Sequence, residues 1–406
     1  MSARILIITN GHLCRNPRPL NEAETLGRAG YDVTVLGVRN HAASESLDGA
    51  LLRNAPFQRQ VVDMLPGAGA SQGAVFRARM LLWLARYAGA KLGLRSIRSL
   101  GPSGRLLRLA RRLPADLTIV HNEVPHWIGV QLMQEGRRVA ADIEDWHSED
   151  LLPEDRLLRP LALIRRVEKQ LLNRATYVTT TSHAMAHALH SRYGGRLPEV
   201  ITNSFPLQPD PRRGDPGVPP AFFWFSQTLG AGRGLELFLS AWRATVHPSR
   251  LVLLGESSNG FDRRLLARLP DDWRDRVRFR PMVPPRELPQ LIAQHDVGLA
   301  LEQSFIVNRN LTITNKILQY LNAGLALVAS NTEGQREVLA HAPEAGVLVD
   351  LHETTELTLA LDRLLGDRTA LSRRQQAARQ LAQECYSWEH ESPKLLALVR
   401  QTLSEA

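Results

Sequence analysis

The stretch RILIITNGHLCRNPRPLNEAETLGRAGYDVTVL, residues 4–36, decides the fold class. Its first six residues form a short apolar run, which is typical of a buried β-strand. A helical pattern follows from Pro19 to Ala29 and stops at Gly30, and Asp32–Leu36 forms a second apolar run. A strand, a helix and a strand in this order predict two parallel strands joined by a right-handed crossover.

The same alternation recurs in two series, separated by a segment rich in proline and glycine at residues 206–220. Further strands are predicted in the first series at residues 117–120, 139–142, 177–181 and 200–202, and in the second at 222–225, 251–254, 277–279, 297–301 and 326–330. Strands that alternate with helices form doubly wound parallel sheets. We therefore predict two Rossmann-like α/β domains that face a cleft, at residues 1–205 and 221–387, with 206–220 as the linker.

The composition limits the compartment and the partners. The net charge of +9 indicates an anionic partner. Cys14 and Cys385 lie far apart and form no metal-binding spacing, which argues against a disulfide framework or a structural zinc site. Neither a secretory signal nor an apolar run of about 20 residues is visible, so we expect a cytoplasmic location.

Residues 76–113 contain ten basic side chains and no acidic ones, interleaved with large apolar residues. This profile favours a helix on an anionic membrane surface, and hence a peripheral location at the inner face of the membrane. A solvated helix that covers the domain and a nucleic-acid patch are the alternatives. We favour the membrane and expect no nucleic-acid partner.

Ligands of an open parallel sheet bind at the carboxyl ends of its strands, and a glycine-rich loop follows one such strand in the second series. Its glycines, Gly230, Gly232 and Gly234, would let the backbone approach a phosphate. Arg233 adds a cation whose planar fork suits phosphate oxygens. The alternative is a structural turn.

A second anion-binding candidate is a helix that Thr312 or Thr314 can cap and that stops at Gly324. Lys316 lies in its first turn, where a cation opposes the helix dipole. A bound diphosphate would remove this conflict, whereas a solvated lysine is the alternative.

Polar residues also follow two strands of the first series. His121, Asn122 and Glu123 come after residues 117–120, and this position at a strand end favours a functional role over a structural one for the histidine. The carboxylates of the next loop are Asp142, Glu144 and Asp145. Their spacing is similar to a metal-binding DxD motif, but we favour acceptor-facing or structural carboxylates over a metal site.

Several short motifs together resemble those of glycosyltransferase family 4, whose members are retaining enzymes of the GT-B fold. The resemblance extends along almost the whole chain. The matching segments are Asn16–Arg18 with Glu22, Gly30–Leu36, Thr181–His183, Val200–Asn203, Arg233–Leu235, Leu251–Gly255, Asn315–Gly324 and Trp388–Glu389.

The resemblance implies roles for these residues. Arg233 and Lys316 would neutralise the departing donor diphosphate, and His121 would contact the donor sugar near the reacting centre. Asn16 and Arg18 would lie on the acceptor side. The final helix, within 388–406, would cross back onto the N-terminal domain, and neither a metal ion nor another cofactor would be required.

The chain also departs from the family pattern at donor-binding positions. Gln319 stands where the family has a ribose-binding glutamate, and Leu311 replaces the other glutamate of the pair. Thr228 stands where an arginine is expected, while Asn315 keeps the family residue. A glutamine can still donate and accept hydrogen bonds, but it carries no charge.

We therefore expect a transferase that moves a sugar from a UDP- or GDP-type donor to a glycan or a lipid-linked acceptor. A non-catalytic GT-B-like scaffold subunit is one alternative, favoured by the missing glutamates. A nucleotide-sugar epimerase of the same shape is another. A dinucleotide oxidoreductase is disfavoured because the loop after the first strand holds only Gly11.

Overall fold

A computed structural model describes residues 2–65, 72–157, 159–209 and 217–405. The chain forms two compact units, one of Met1–Ile201 with Ser392–Ala406 and the other of Thr202–Glu391. Residues 210–216 of the predicted linker lie outside the described residues.

The first unit contains a seven-stranded parallel sheet in the order β3-β2-β1-β4-β5-β6-β7. Its strands are β1 Arg4–Ile8, β2 Asp32–Arg39, β3 Gln58–Asp63, β4 Leu117–His121, β5 Val139–Ile143, β6 Val178–Thr180 and β7 Glu199–Val200. Its helices are α1 Pro17–Arg28, α2 Ala42–Leu52, α3 Gln72–Leu92, α4 Ser103–Arg112, α5 Glu123–Gln134, α6 Pro153–Arg156, α7 Leu161–Arg174 and α8 His183–Tyr193. The strand order reverses between β1 and β4, which is where doubly wound sheets bind ligands.

The second unit contains a six-stranded parallel sheet in the order β10-β9-β8-β11-β12-β13. Its strands are β8 Ala221–Leu229, β9 Arg250–Ser257, β10 Val277–Arg280, β11 Val297–Ala300, β12 Ala326–Ser330 and β13 Gly346–Val349. The remaining helices are α9 Leu235–Trp242, α10 Phe261–Leu266, α11 Asp271–Arg274, α12 Leu288–Ile292, α13 Val307–Leu311, α14 Asn315–Asn322, α15 Glu333–His341, α16 Thr354–Gly366, α17 Arg368–Glu384 and α18 Trp388–Ser404. Here the order reverses between β8 and β11.

The prediction of two Rossmann-like parallel-sheet units is confirmed. Strands β4, β5 and β12 are buried along their whole length, because helices cover both faces of a parallel sheet. Two strands, β3 and β13, were not predicted. Both lie at a sheet edge, and β3 has exposed and half-buried residues in place of a continuous apolar run.

The packing of α14 against β11 fixes where its first turn lies. Tyr320 of α14 is fully buried against Gly298 of β11, and a Cβ atom at that glycine would overlap the tyrosine ring. Lys316 lies about one turn earlier on the same helix. The glycine therefore sets how closely the Lys316 end of α14 approaches the carboxyl edge of the sheet.

The last helix, α18, begins in the second unit, and its residues from Ser392 onward belong to the first. Leu395 and Val399 are buried there, and Arg138 Nη1 donates to the carbonyl of Thr402 at 3.3 Å. The predicted return of this helix to the N-terminal unit is confirmed. Among the described helices, none combines the length and the apolarity needed to cross a bilayer.

Candidate functional site

Four charged side chains meet beneath the carboxyl ends of β4 and β5, and none is more than 1% exposed. Arg18 donates from Nε and Nη2 to the two oxygens of Asp142, at 2.8 and 2.6 Å. His121 lies between Asp142 Oδ2, at 3.1 Å from Nδ1, and Glu22 Oε2, at 3.0 Å from Nε2. The two cations and two carboxylates form a balanced quartet.

The quartet sets the charge of His121. Burial by itself would lower the pKa of His121, but Glu22 and Asp142 outweigh burial and raise this pKa to about 10. Burial would likewise raise the pKa of Asp142, but Arg18 and His121 outweigh it and hold that pKa low. The histidine is therefore an imidazolium at neutral pH, with both N–H groups donating to carboxylates.

This arrangement bears on three predicted site residues. Arg18 and Asp142 are enclosed, and Arg18 also donates to the carbonyl of Ile201, so the prediction that they face an acceptor does not fit. The structural alternative fits Asp142. His121 has no ring nitrogen left for a sugar. Glu22, His121 and Asp142 are close enough to hold one ion, and in this structure the two ring nitrogens of His121 face the two carboxylates.

Asn122 follows His121 with a φ of 69°, a left-handed conformation that is rare for residues other than glycine. Its side-chain oxygen accepts from Thr9 Oγ1 at 3.1 Å and from the Asn10 amide at 3.3 Å. These bonds tie the loop after β1 to the loop after β4. Strained backbone that is held in this way is typical of functional sites.

The other predicted residues of the first unit lie half-buried around the quartet. Glu123 pairs with Arg159, and Asn16 precedes the first residue of α1. Burial, followed by the charges of Asp145 and Asp142, raises the pKa of Glu144 to about 8. Glu144 is thus a partly accessible carboxyl group that exchanges a proton near neutral pH.

In the second unit, the glycine-rich loop follows β8 and leads into α9. Gly234 has a φ of 77°, and a Cβ atom there would lie 2.9 Å from side-chain atoms of Leu301 and Leu351, so the position requires glycine. Arg309 Nη1 donates to the carbonyl of Gly232 at 3.2 Å. Thr228 is an exposed residue near the end of β8.

Lys316 lies in the first turn of α14, as predicted, and forms an ion pair with Glu302, which is 4% exposed. Burial would raise the pKa of Glu302, but Lys316 above all, followed by Arg233 and Arg309, lowers it. The carboxylate of Glu302 thus offsets the unfavourable interaction between Lys316 and the helix dipole. The position of Lys316 therefore does not by itself require a ligand. The cations around Glu302 still outnumber it, which leaves net positive charge for an anion.

Sequence reasoning missed Glu302 and Arg309. Glu302 directly follows the Leu301 end of the β11 run, and this position at a strand end was the available signal. Arg309 had none, because its contact with the glycine-rich loop joins residues 77 positions apart.

The remaining donor-side candidates lie on or next to α14. Thr314 precedes its first residue, Asn315, and the Thr314 hydroxyl is buried without a hydrogen-bond partner among the described residues. Gln319 is half-buried one turn along the helix. Glu302 also lines an open polar pocket with Ser304, Ser330, Asn331, Thr332, Asp350 and His352.

Comparisons with known proteins give the class. Residues 20–208 match the family described as Glycosyltransferase Family 4, and residues 220–367 match the one described as Glycosyl transferases group 1. The putative glycosyltransferase YtcC of Bacillus subtilis (strain 168) is 22% identical over 189 residues, which are 44% of this chain and 45% of that protein. The match therefore spans less than half of that relative.

Solved structures share the fold over the full length. Anabaena Alr3699/HepE in complex with UDP-glucose has a TM-score of 0.69 at 17% identity, covering 98% of this chain and 100% of that one. Sucrose-phosphate synthase of Thermosynechococcus elongatus has a TM-score of 0.68 at 16% identity, covering 100% of both chains.

Fold and matches together place the chain in the class of glycosyltransferases with the GT-B fold. The two family matches together extend from residue 20 to residue 367, with a short gap between 208 and 220. The chain belongs to glycosyltransferase family 4.

Proposed function

We propose that this protein transfers a sugar from a nucleoside diphosphate donor held by the second unit. The observation that carries the proposal is the cation group around Glu302. Lys316 contacts this carboxylate directly, and Arg233 and Arg309 lie within electrostatic reach of it. The glycine-rich loop and the N-terminus of α14 add backbone N–H groups, which favour a phosphate ligand.

The reaction breaks the bond between the sugar C1 atom and the diphosphate oxygen. An acceptor hydroxyl oxygen forms the new bond to C1, and its proton passes to the departing diphosphate. Negative charge develops on the departing diphosphate. Arg233 and Lys316 stabilise that charge, which lowers the barrier without a metal ion. We expect retention of configuration, as the family resemblance implies.

The donor is proposed to be a UDP- or GDP-sugar. The structural likeness to a protein crystallised with UDP-glucose supports the UDP alternative. Gln319 would hydrogen-bond the ribose through its neutral amide, and Thr314 and Asn315 would lie near the phosphates at the start of α14.

The acceptor is proposed to be a glycan or a lipid-linked sugar bound by the first unit. The half-buried polar residues there, Asn16, Asn122, Glu123, Glu144 and Asp145, are the candidates for hydroxyl contacts. His121 would act as a positioning residue, because its charge holds Glu22 and Asp142 beneath these loops. A lipid-linked acceptor would be reached at an anionic membrane surface through residues 76–113.

A thermal-shift screen with UDP, GDP, ADP, TDP and CDP tests the donor assignment. A nucleotide at a hundred times its dissociation constant adds about 2.7 kcal/mol to the free energy of unfolding. We expect a shift with UDP or GDP that persists in EDTA. A shift that requires magnesium would contradict metal independence, and no shift with any nucleotide would favour the scaffold alternative. Conversion of the nucleotide sugar without an acceptor would favour the epimerase.

A further inference from the structure

Helix α3 exposes a group of large apolar side chains to solvent. Phe76 is 67% exposed, Trp83 61% and Tyr87 50%, and Met80 and Leu84 are also exposed. At about 3.6 residues per turn, these five residues lie on one side of the helix. We call this side, residues 76, 80, 83, 84 and 87, the outward face.

The opposite side of α3 already provides the contacts that the fold requires. Val75, Ala78 and Gly89 are buried, and Leu82 and Ala85 are half-buried. The helix is thus apolar on two sides, of which one packs on the first unit. Folding therefore does not explain the outward face, and a contiguous exposed apolar surface of this kind marks an interaction site.

Hydrogen bonds hold the outward face in a fixed position. Arg79 Nε donates to the carbonyl of Met64 at 3.0 Å, and Arg86 Nε donates to that of Ser99 at 3.1 Å. The rings of Trp83 and Tyr87 stack with their centroids 5.4 Å apart. The face is therefore a preformed surface, which lowers the entropy lost on binding.

The charge beside the outward face is positive. Arg77 and Lys91 are exposed, and neither forms an ion pair with any residue in the described ranges. The surrounding segment 76–113 has no acidic residue that would repel an anionic surface. Aromatic and aliphatic side chains flanked by unpaired cations match an anionic lipid interface, where rings enter the headgroup region and cations meet phosphates.

Helix α4, the other half of the predicted membrane segment, lacks such a face. Leu106, Leu107 and Ala110 are buried. Arg105 is engaged with the carbonyl oxygens of Asp63 and Ala74 at 3.2 and 3.4 Å, and Arg111 pairs with Glu135. The predicted membrane surface is thus narrowed to α3.

We infer that α3 lies in the plane of an anionic bilayer, with its outward face in the lipid interface and Arg77 and Lys91 on lipid phosphates. The inference deepens the proposed function, because it names the element that would bring the protein to a lipid-linked acceptor. The physical binding to lipid does not depend on the transferase activity.

Co-flotation of the full chain with vesicles of phosphatidylglycerol and phosphatidylcholine tests the inference. Phe76→Ser and Trp83→Ser should each weaken binding by about tenfold, as expected for an apolar side chain withdrawn from lipid. Arg77→Gln and Lys91→Gln should each weaken it by about fivefold, and only on anionic vesicles. Leu359→Ser, at a 51% exposed leucine on α16, is the matched apolar control and should bind like the wild type.

Tryptophan quenching by brominated lipids reports insertion directly. Trp83 is the only exposed one of the seven tryptophans. Quenching should therefore occur in the wild type and be lost in Trp83→Phe, while vesicle binding is kept. Arg108→Gln combined with Arg112→Gln removes two exposed charges from α4. This variant should weaken binding less than Arg77→Gln combined with Lys91→Gln, which removes two from α3.

Three results would overturn the inference: wild-type protein that does not float with anionic vesicles, α3 variants that bind like the control, or binding without quenching. A concentration-dependent dimer that Trp83→Ser dissolves would assign the outward face to a second copy instead. Sugar transfer to a soluble acceptor should be unchanged in Phe76→Ser, so failure here is distinguishable from failure of the transferase proposal.

Discussion

Replacing Lys316 by methionine removes the cation from a buried ion pair. The side chains of Lys316 and Glu302 are 12% and 3% exposed. The carboxylate must then remain charged without its main partner or take up a proton. Protonating a carboxyl of ordinary pKa 4.5 at pH 7 costs about 3.4 kcal/mol, at about 1.36 kcal/mol per pH unit. Since Arg233 and Arg309 remain nearby, we expect a loss of about 2–3 kcal/mol in the free energy of unfolding.

The loss should depend on pH. In the wild type the folded-state pKa of Glu302 lies below 4.5, so the pair stabilises the fold above that pH and ceases to do so as the pH falls through the folded pKa. In the variant, burial without Lys316 favours the neutral acid, and keeping it neutral costs more as the pH rises. The difference between the two proteins should therefore be larger at pH 8 than at pH 5.

A second substitution separates stability from catalysis. Glu302→Gln in the Lys316→Met background removes the unpaired carboxylate, so the free energy of unfolding should return to within about 1 kcal/mol of the wild type. The kcat/KM for sugar transfer should stay about 100–1000-fold low, because the cation for the leaving diphosphate is still missing. Urea unfolding at pH 5, 7 and 8 and a transfer assay measure the two effects.

Wild-type turnover by the double variant would refute the phosphate role of Lys316. Equal stability of Lys316→Met and the wild type at every pH would refute the contribution of the pair. Glu302→Gln alone is the control, because it keeps all the cations and should keep nucleotide binding.

Four further outcomes are expected. Arg233→Ala should lower kcat/KM by about 100–1000-fold with little change in Tm. His121→Asn should lose about 3–5 kcal/mol in urea unfolding below pH 6.5 and progressively less as the pH rises toward about 10, because the raised folded-state pKa of the histidine stabilises the fold most where both states are protonated. Gly234→Ala should cost about 2–4 kcal/mol, whereas Gly232→Ala, with nothing within 4 Å of its Cβ, should cost about 1 kcal/mol. Gln319→Ala should weaken nucleotide binding by about fivefold in calorimetry, the equivalent of one hydrogen bond.

Each outcome has a contrary result. Arg263→Ala, on the exposed side of α10, is the charge-matched control for Arg233, and equal losses would make the Arg233 effect nonspecific. A pH-independent loss in His121→Asn would contradict the imidazolium. Equal costs for the two alanine variants would contradict the crowding at Gly234. Unchanged affinity in Gln319→Ala would remove that residue from the donor site.

Much of the fold was predictable because buried parallel strands are locally apolar. The runs at residues 4–9 and 117–120 correspond to β1 and β4, and the helix between β1 and β2 ends before Gly30 as predicted. Strand β3 was not predicted, because an edge strand is covered on fewer sides and its sequence QRQVVD therefore lacks a continuous apolar run.

The candidate sites were predictable in position but not in chemistry. The position of His121 after a predicted strand indicated one site, and the position of Lys316 after a predicted helix cap indicated the other. Their partners could not be found in this way, since Glu22 is 99 residues from His121, and Glu302 is 14 residues from Lys316, in the loop after β11. Without these partners, neither the charge of the histidine nor the pairing of the lysine can be inferred.

The sequence by itself determined the two parallel sheets and which residues stand at the carboxyl ends of their strands. The apolar runs and helical patterns that indicate these elements are formed by residues close together in the chain. Only the tertiary structure decided which of those residues are enclosed, which are charged and which side of α3 remains uncovered. Exposure and pKa depend on neighbours brought together from distant parts of the chain, and no local pattern records those neighbours.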